Sequence, residues 1–130
     1  MIIKSYLLEQ DINLLSNKNL FLFYGENLGL KNDFKILIKK KSPDCKIINL
    51  NQEEVIKNQD NFFSEILNLN LFEKKKIYNI NDCSDKILEF IQEIHKKIDN
   101  QLIFLFAENL DKRSKLRNHF EKAKNAYVIP

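Results

Sequence analysis

Leu20-Phe21-Leu22-Phe23-Tyr24-Gly25-Glu26-Asn27-Leu28-Gly29-Leu30-Lys31-Asn32 decides the fold. Leu20–Tyr24 is an unbroken apolar run and reads as a strand buried on both faces. Gly25 ends it. From Gly29 the period changes, and Leu30, Phe34, Leu37 and Ile38 recur at i, i+4, i+7 and i+8, the spacing of one helix face. Strand, glycine turn and helix are the setting of a phosphate-binding loop, whose pattern is G-x-x-x-x-G-K-[ST]. Aligned on Gly25 and Lys31, the chain has Leu30 at the second glycine and Asn32 at the hydroxyl residue. A leucine side chain obstructs close backbone approach to phosphate, and an amide replaces the hydroxyl that holds Mg2+. Lys31 survives, and a helix start attracts anions, but the glycine cradle is gone. The loop is read as one that binds neither nucleotide nor metal, and no cofactor is expected.

Around this unit, short apolar runs alternate with amphipathic stretches. Residues 5–16 carry Leu7, Leu8, Ile12 and Leu15 in a helical spread. Lys39, Lys40 and Lys41 close the helix that follows Gly29, where cations favour the carbonyl end, and Ser42-Pro43 stops it. Cys45–Leu50 reads as a second strand, with short helices over 52–58 and 60–68, the latter opened by Asp60. Lys76–Ile80 is a third strand. Ser84 then caps a helix with Ile87, Ile91, Ile94 and Ile98 on one face. Leu102–Ala107 is the most hydrophobic strand, and Lys112–Lys124 reads as a helix with Leu116, Phe120 and Ala123 inward. Tyr127–Ile129 begins a fifth strand. Strands apolar on both faces, alternating with helices, predict an α/β fold: a three-layer, mostly parallel five-stranded sheet covered on both sides. No linker, repeat or low-complexity tract divides residues 1–130, read as a single domain. An end at Pro130, straight after a strand, is expected of an amino-terminal domain from a longer chain.

A hydrophobic content of 44% over 130 residues supplies a full core and excludes a disordered chain. The net charge of +3 permits an acidic partner without demanding nucleic acid. Cys45 and Cys83 form no C-x-x-C and no zinc set with His95 and His119. They read as isolated thiols of a reduced, intracellular chain. Neither histidine has a Ser, Cys or acid at a catalytic spacing, and both are assigned to structure. The start, Met1–Ser5, lacks a signal-peptide layout, and no apolar run approaches the roughly 20 residues that span a bilayer. The expectation is a cytoplasmic protein with no membrane partner.

Three further stretches carry chemistry. Leu69-Asn70-Leu71-Phe72 is followed by Glu73-Lys74-Lys75-Lys76. The preceding helix already spends Phe62, Phe63, Ile66 and Leu67 on one face. Leu71 and Phe72 therefore either turn into the core before the third strand or form an exposed apolar pair rimmed by charge, as docking sites do. The lysine run is either a solvated edge or a DNA contact. Asn81-Asp82 is expected just after the third strand, where an NTPase holds its metal-binding acid, and Glu108-Asn109 after the fourth, where a polar sensor would sit. Glu26 and Asp82 make a thin version of the acidic cluster that a receiver-like signalling domain requires.

F-L-F-Y-G-E-N-L-G-L at 21–30, N-L-F-E-K-K-K-I-Y-N-I at 70–80 and L-I-F-L-F-A-E-N-L-D-K-R-S-K-L-R at 102–117 occur in that order. Together they resemble the amino-terminal domain of the delta subunit of bacterial DNA polymerase III, over essentially the whole chain. The middle stretch is similar to that family's S-L-F-G-x-x-R pattern, and the last to its strand followed by L-D-K-R-x-K-L. Asn70 stands for the usual Ser, Glu73 for Gly and Lys76 for a common Arg. The Leu-Phe pair is intact.

The resemblance implies an AAA+-like, P-loop NTPase-like fold with a degenerate nucleotide site. It also implies a role in DNA replication within the polymerase holoenzyme, a nucleotidyltransferase assembly, in which delta binds and opens the sliding clamp (the beta subunit) and is not itself catalytic. Leu71 and Phe72 are then the clamp-binding residues. The other clamp-loader subunits are met through regions beyond Pro130, and DNA through the assembled complex. The competing expectation is a small P-loop-like nucleotide-binding enzyme with a divergent phosphate loop.

Overall fold

The computed structural model describes the backbone of residues 20–25, 28–41, 43–67, 76–97, 102–108, 110–122 and 126–129. The elements are β1 (Leu20–Phe23), α1 (Leu28–Lys41), β2 (Lys46–Asn51), α2 (Gln52–Lys57), α3 (Gln59–Leu67), β3 (Lys76–Cys83), a 3-10 turn (Asp85–Ile87), α4 (Leu88–His95), β4 (Leu102–Ala107), α5 (Lys115–Lys122) and β5 (Ala126–Ile129). The strands lie in the order β2-β3-β4-β1-β5, and each described pairing is parallel. The α/β class with a parallel sheet is thus what the sequence pattern called for. The helix expected over 5–16 lies outside the described residues.

Alternation along the strands builds two cores. Leu20, Leu22, Tyr78, Ile80, Ile103 and Leu105 point to one face and pack with Val55, Ile66, Ile91, Ile94, Leu116 and Phe120 of α2 to α5. Phe21, Phe23, Ile77, Phe104 and Phe106 point to the other and pack with Phe34 and Ile38 of α1. Register pairs Phe21 with Phe104 and Phe23 with Phe106. Their rings stack at 4.8 and 5.1 Å between centroids. Such cross-strand aromatic pairs fix register as well as burying area, because a one-residue slip would turn each ring to the opposite face.

Several boundaries differ from the pattern reading for identifiable reasons. β3 runs on through Asn81 and Asp82 to Cys83, so the two polar residues expected after the strand lie in it. Ile80 pairs with Leu105 and Cys83 with Ala107, which leaves one extra residue on β3. Asp82 absorbs it with φ +56°, a left-handed conformation that aspartate tolerates better than most residues. The bulge returns Cys83 to the face of Ile80, where it is buried. Ser84 does cap, but what it caps is the 3-10 turn: its hydroxyl accepts from Lys86 N–H, and α4 begins at Leu88. Ile98 and Ala123 lie outside the described residues. The last helix starts at Lys115, three residues later than expected, because residues 112–113 form a turn closed by Arg113 N–H on Asp111 Oδ1. α3 opens at Gln59, so Asp60 sits in its first turn and does not cap it. β2 is an edge strand among those described and is only half-apolar, with Asn49 exposed.

Candidate functional site at the carboxyl edge of the sheet

In an open parallel sheet, ligands bind outside the carboxyl ends of the strands, where neighbouring strands send their connections to opposite faces. β1 and β4 are such neighbours. β1 leads into α1, which packs in the phenylalanine-rich core, whereas β4 leads towards α5, which packs in the other core. The crevice between their ends is where Gly25 sits. Its φ of +129° is open to glycine and strained for other residues, and a Cβ there would meet nothing within 4 Å. The turn, not crowding, requires the glycine.

The crevice is stitched across. Gly25 N–H donates to the Glu108 carbonyl at 3.0 Å, joining the exits of β1 and β4. α1 begins at Leu28, so the positions aligned with the second glycine and the lysine are already helical. Leu30, Lys31 and Asn32 occupy the first turns of α1. Asn32 is exposed and Lys31 half-buried. A loop that cradles phosphate needs several free backbone N–H groups in a row. Between Phe23 and Leu28 there are four residues, and one of their N–H groups is already spent on Glu108.

One turn beyond Lys31, Lys35 crosses to the end of β3. Its Nζ donates to Asn81 Oδ1 at 2.6 Å and lies 4.5 Å from the centre of the Phe106 ring. Burial pulls the Lys35 ammonium below its usual pKa, Asp82 opposes that shift, and Lys31 adds to it. Asn81 Nδ2 in turn donates to the Leu50 carbonyl, and Asn51 Nδ2 to Asp82 Oδ2 at 3.1 Å. Asn81 is thus a neutral amide with an ammonium on it, and Asp82 accepts a hydrogen bond from the neighbouring strand.

Two side chains that the pattern did not single out hold this edge. Gln52 is buried at the start of α2; its Oε1 accepts from Ser84 N–H at 2.6 Å and its Nε2 donates to Ser84 Oγ at 2.9 Å. Asp85 accepts from the Ser114 hydroxyl and from the N–H groups of Lys115 and Leu116, so it caps α5 from the 3-10 turn after β3. The Ser114 hydrogen bond is the main reason its carboxyl lies below the usual range; partial burial works against it. Arg117 of α5 lies over the Tyr24 ring and donates to the Leu110 carbonyl and to Glu121, tying the exits of β1 and β4 to one helix.

The other expected residues fall elsewhere. Leu71 and Phe72 lie outside the described residues, as does Glu26. Glu108 is exposed at the end of β4. His95 and His119, assigned separately to structure, come together: their rings meet edge to face at 5.9 Å between centroids. Their 24-residue separation gives no motif, so only the docking of α4 beside α5 reveals the pair. Cys45 is half-buried and Cys83 buried, and both are free thiols. No described helix is long and apolar enough to cross a membrane.

A scan against models of protein families finds none that matches the chain, and a search of curated proteins likewise finds no match.

Proposed function

We propose that the chain is the clamp-opening domain of a clamp-loader delta subunit, acting in DNA replication within the DNA polymerase III holoenzyme. On this reading it is a three-layer AAA+-like domain of five strands with a degenerate nucleotide site, non-catalytic by itself. Leu71 and Phe72 enter an apolar pocket on the sliding clamp. Other loader subunits are met through regions of a longer protein, and DNA through the assembled complex.

The observation that carries the reading is the Gly25–Glu108 hydrogen bond at the switch point of the sheet. A phosphate-loop layout whose crevice is closed by its own backbone, with Lys35 seated on Asn81, supports a domain kept for binding a protein. It gives no support to a nucleotide-binding enzyme. The packing of α3 supports the role of the Leu-Phe pair: Ile66 is buried, and Phe62 and Phe63 pack against the same core, so that face is already spent. The sequence similarity at 21–30, 70–80 and 102–117 supplies the identity of the partner.

The test is direct binding of this chain to a bacterial sliding clamp by titration calorimetry, with and without Mg2+-ATP. Saturable binding indifferent to nucleotide is expected. No binding, or binding that requires ATP, contradicts the proposal.

A further inference from the structure

We propose that His95 and His119 form an acid-sensitive latch between α4 and α5, one that holds while both imidazoles are neutral and loosens α5 when they take up protons. The inference does not depend on the clamp reading.

His95 ends α4, and His119 lies in the middle of α5 beside Phe120, which is buried in the core. The two imidazoles meet edge to face at 5.9 Å between centroids, and the Phe120 ring lies 5.8 Å from His119, also edge-on. Nε2 of His119 is buried and, among the described residues, has no hydrogen-bond partner. In a neutral ring with its proton on Nδ1, that nitrogen leaves only a lone pair unused. Protonation turns it into a buried, charged donor with no acceptor, which costs far more.

The surroundings add to that cost. Two adjoining depressions meet at Gln92 and His119. From α4 they are lined by Glu93 and Lys96, whose charged groups are 3.7 Å apart, and from α5 by Lys115 and Lys122. The seam's one carboxylate is therefore already ion-paired, and three ammoniums stand against it. Lys97 lies over the Phe63 ring of α3 instead, at 5.0 Å. The 3-10 turn sends Asp85 to the start of α5, β1 and β4 give this core Leu20, Leu22, Ile103 and Leu105, and β5 holds no residue that titrates near neutrality. The carbonyl end of α4 favours a cation on His95. Burial nevertheless pulls the His95 imidazole below its ordinary pKa, and His119 is lowered first by burial and then by His95.

Because both folded-state values lie below the unfolded one of about 6.5, the opened seam binds more protons in acid. The latch is complete above about pH 6.5 and is lost as pH falls from there through the folded-state values. Asp85 titrates lower still, below the ordinary aspartate range, so its cap on α5 persists across that window. Arg117 of α5 ties the exits of β1 and β4, so a loosened seam reaches the crevice at the switch point.

The test follows both imidazole resonances of the whole chain by NMR between about pH 8 and about pH 4.5. Amide exchange, corrected for its intrinsic pH dependence, is measured on α5 and β4 over the same range. Both histidines are expected to titrate below about 6.5, with loss of protection in α5 while β4 stays protected. His95→Gln should raise the pKa of His119 and reduce the acid-dependent loss in α5, a coupling that a merely structural ring contact would not produce. His95 sits at a helix end, so this variant keeps the test valid if His119→Gln folds poorly. Titration of either imidazole at or above the ordinary value, or protection in α5 that does not change with pH, overturns the proposal. So does an acid-dependent loss of equal size in wild type and His95→Gln.

Discussion

The hydroxyl of Ser114 donates to Asp85 Oδ1 at 2.6 Å, and that bond seats the 3-10 turn after β3 at the start of the helix that follows β4. Asp85 also accepts from Lys115 and Leu116 N–H, satisfying first-turn donors that α5 cannot satisfy internally. Asp85→Ala is expected to cost about 1–2 kcal/mol, the upper range for loss of a cap, read by urea unfolding at pH 7. The folded-state pKa of Asp85 is lowered, so its contribution is present above the ordinary aspartate pKa of ~3.9 and is lost as pH falls through the folded value. The wild-type and Asp85→Ala stabilities should therefore converge in acid. A gap that stays constant down to pH 2 would contradict the capping role.

Phe104 is stacked on Phe21 and lies 6.3 Å from Phe23 in the α1-facing core. Phe104→Ala should cost about 3–5 kcal/mol. Ile36, on the outer side of α1 and 54% exposed, should tolerate alanine within about 0.5 kcal/mol. Equal effects at the two positions would contradict the assignment of core and surface.

The Cys83 thiol is pushed up to about 12, chiefly by burial, and it donates to the Ile80 carbonyl. At pH 8 it is a protonated thiol and a poor nucleophile. Alkylation of the native protein should spare Cys83 until unfolding exposes it, as mass mapping of labelled peptides would reveal. Rapid labelling of Cys83 in folded protein would mean that the β3 bulge opens readily.

Closure of the β1–β4 crevice predicts indifference to nucleotide. A ligand at 100 times its Kd stabilises a fold by about 2.7 kcal/mol, an easily seen melting shift. Millimolar Mg2+-ATP is expected to leave the melting temperature unchanged and to undergo no turnover. A saturable shift would show that Gly25 releases Glu108 to receive phosphate.

The strands were legible because each apolar run is short and flanked by polar residues, and α1 because Gly25 precedes it, Ser42-Pro43 follows it, and Phe34 and Ile38 lie one turn apart on the buried face. What escaped the pattern is non-local. The extension of β3 through Asn81 and Asp82 depends on a bulge, and polar residues at a strand exit look like loop. The cap on α5 comes from Asp85, 29 residues before Ser114. The His95–His119 contact likewise needs two helices docked side by side. At the candidate site, Gly25 and the altered loop positions were readable from the motif, whereas the occupation of Asn81 by Lys35 required knowing that one turn of α1 reaches β3.

The proposed binding of Leu71 and Phe72 to a sliding clamp is tested by one double variant. Leu71→Ala/Phe72→Ala should be compared with wild type for clamp affinity and for melting in the same buffer. Fully burying each side chain is worth roughly 1.5–3 kcal/mol, and about 1.4 kcal/mol corresponds to tenfold. If the pair is a clamp contact, affinity is expected to weaken by on the order of 10²-fold or more, with the melting temperature essentially unchanged, since substitutions at surface contacts cost little stability. Unchanged affinity in a folded variant would contradict it, as would a stability loss of about 2–5 kcal/mol per substitution, the mark of core residues.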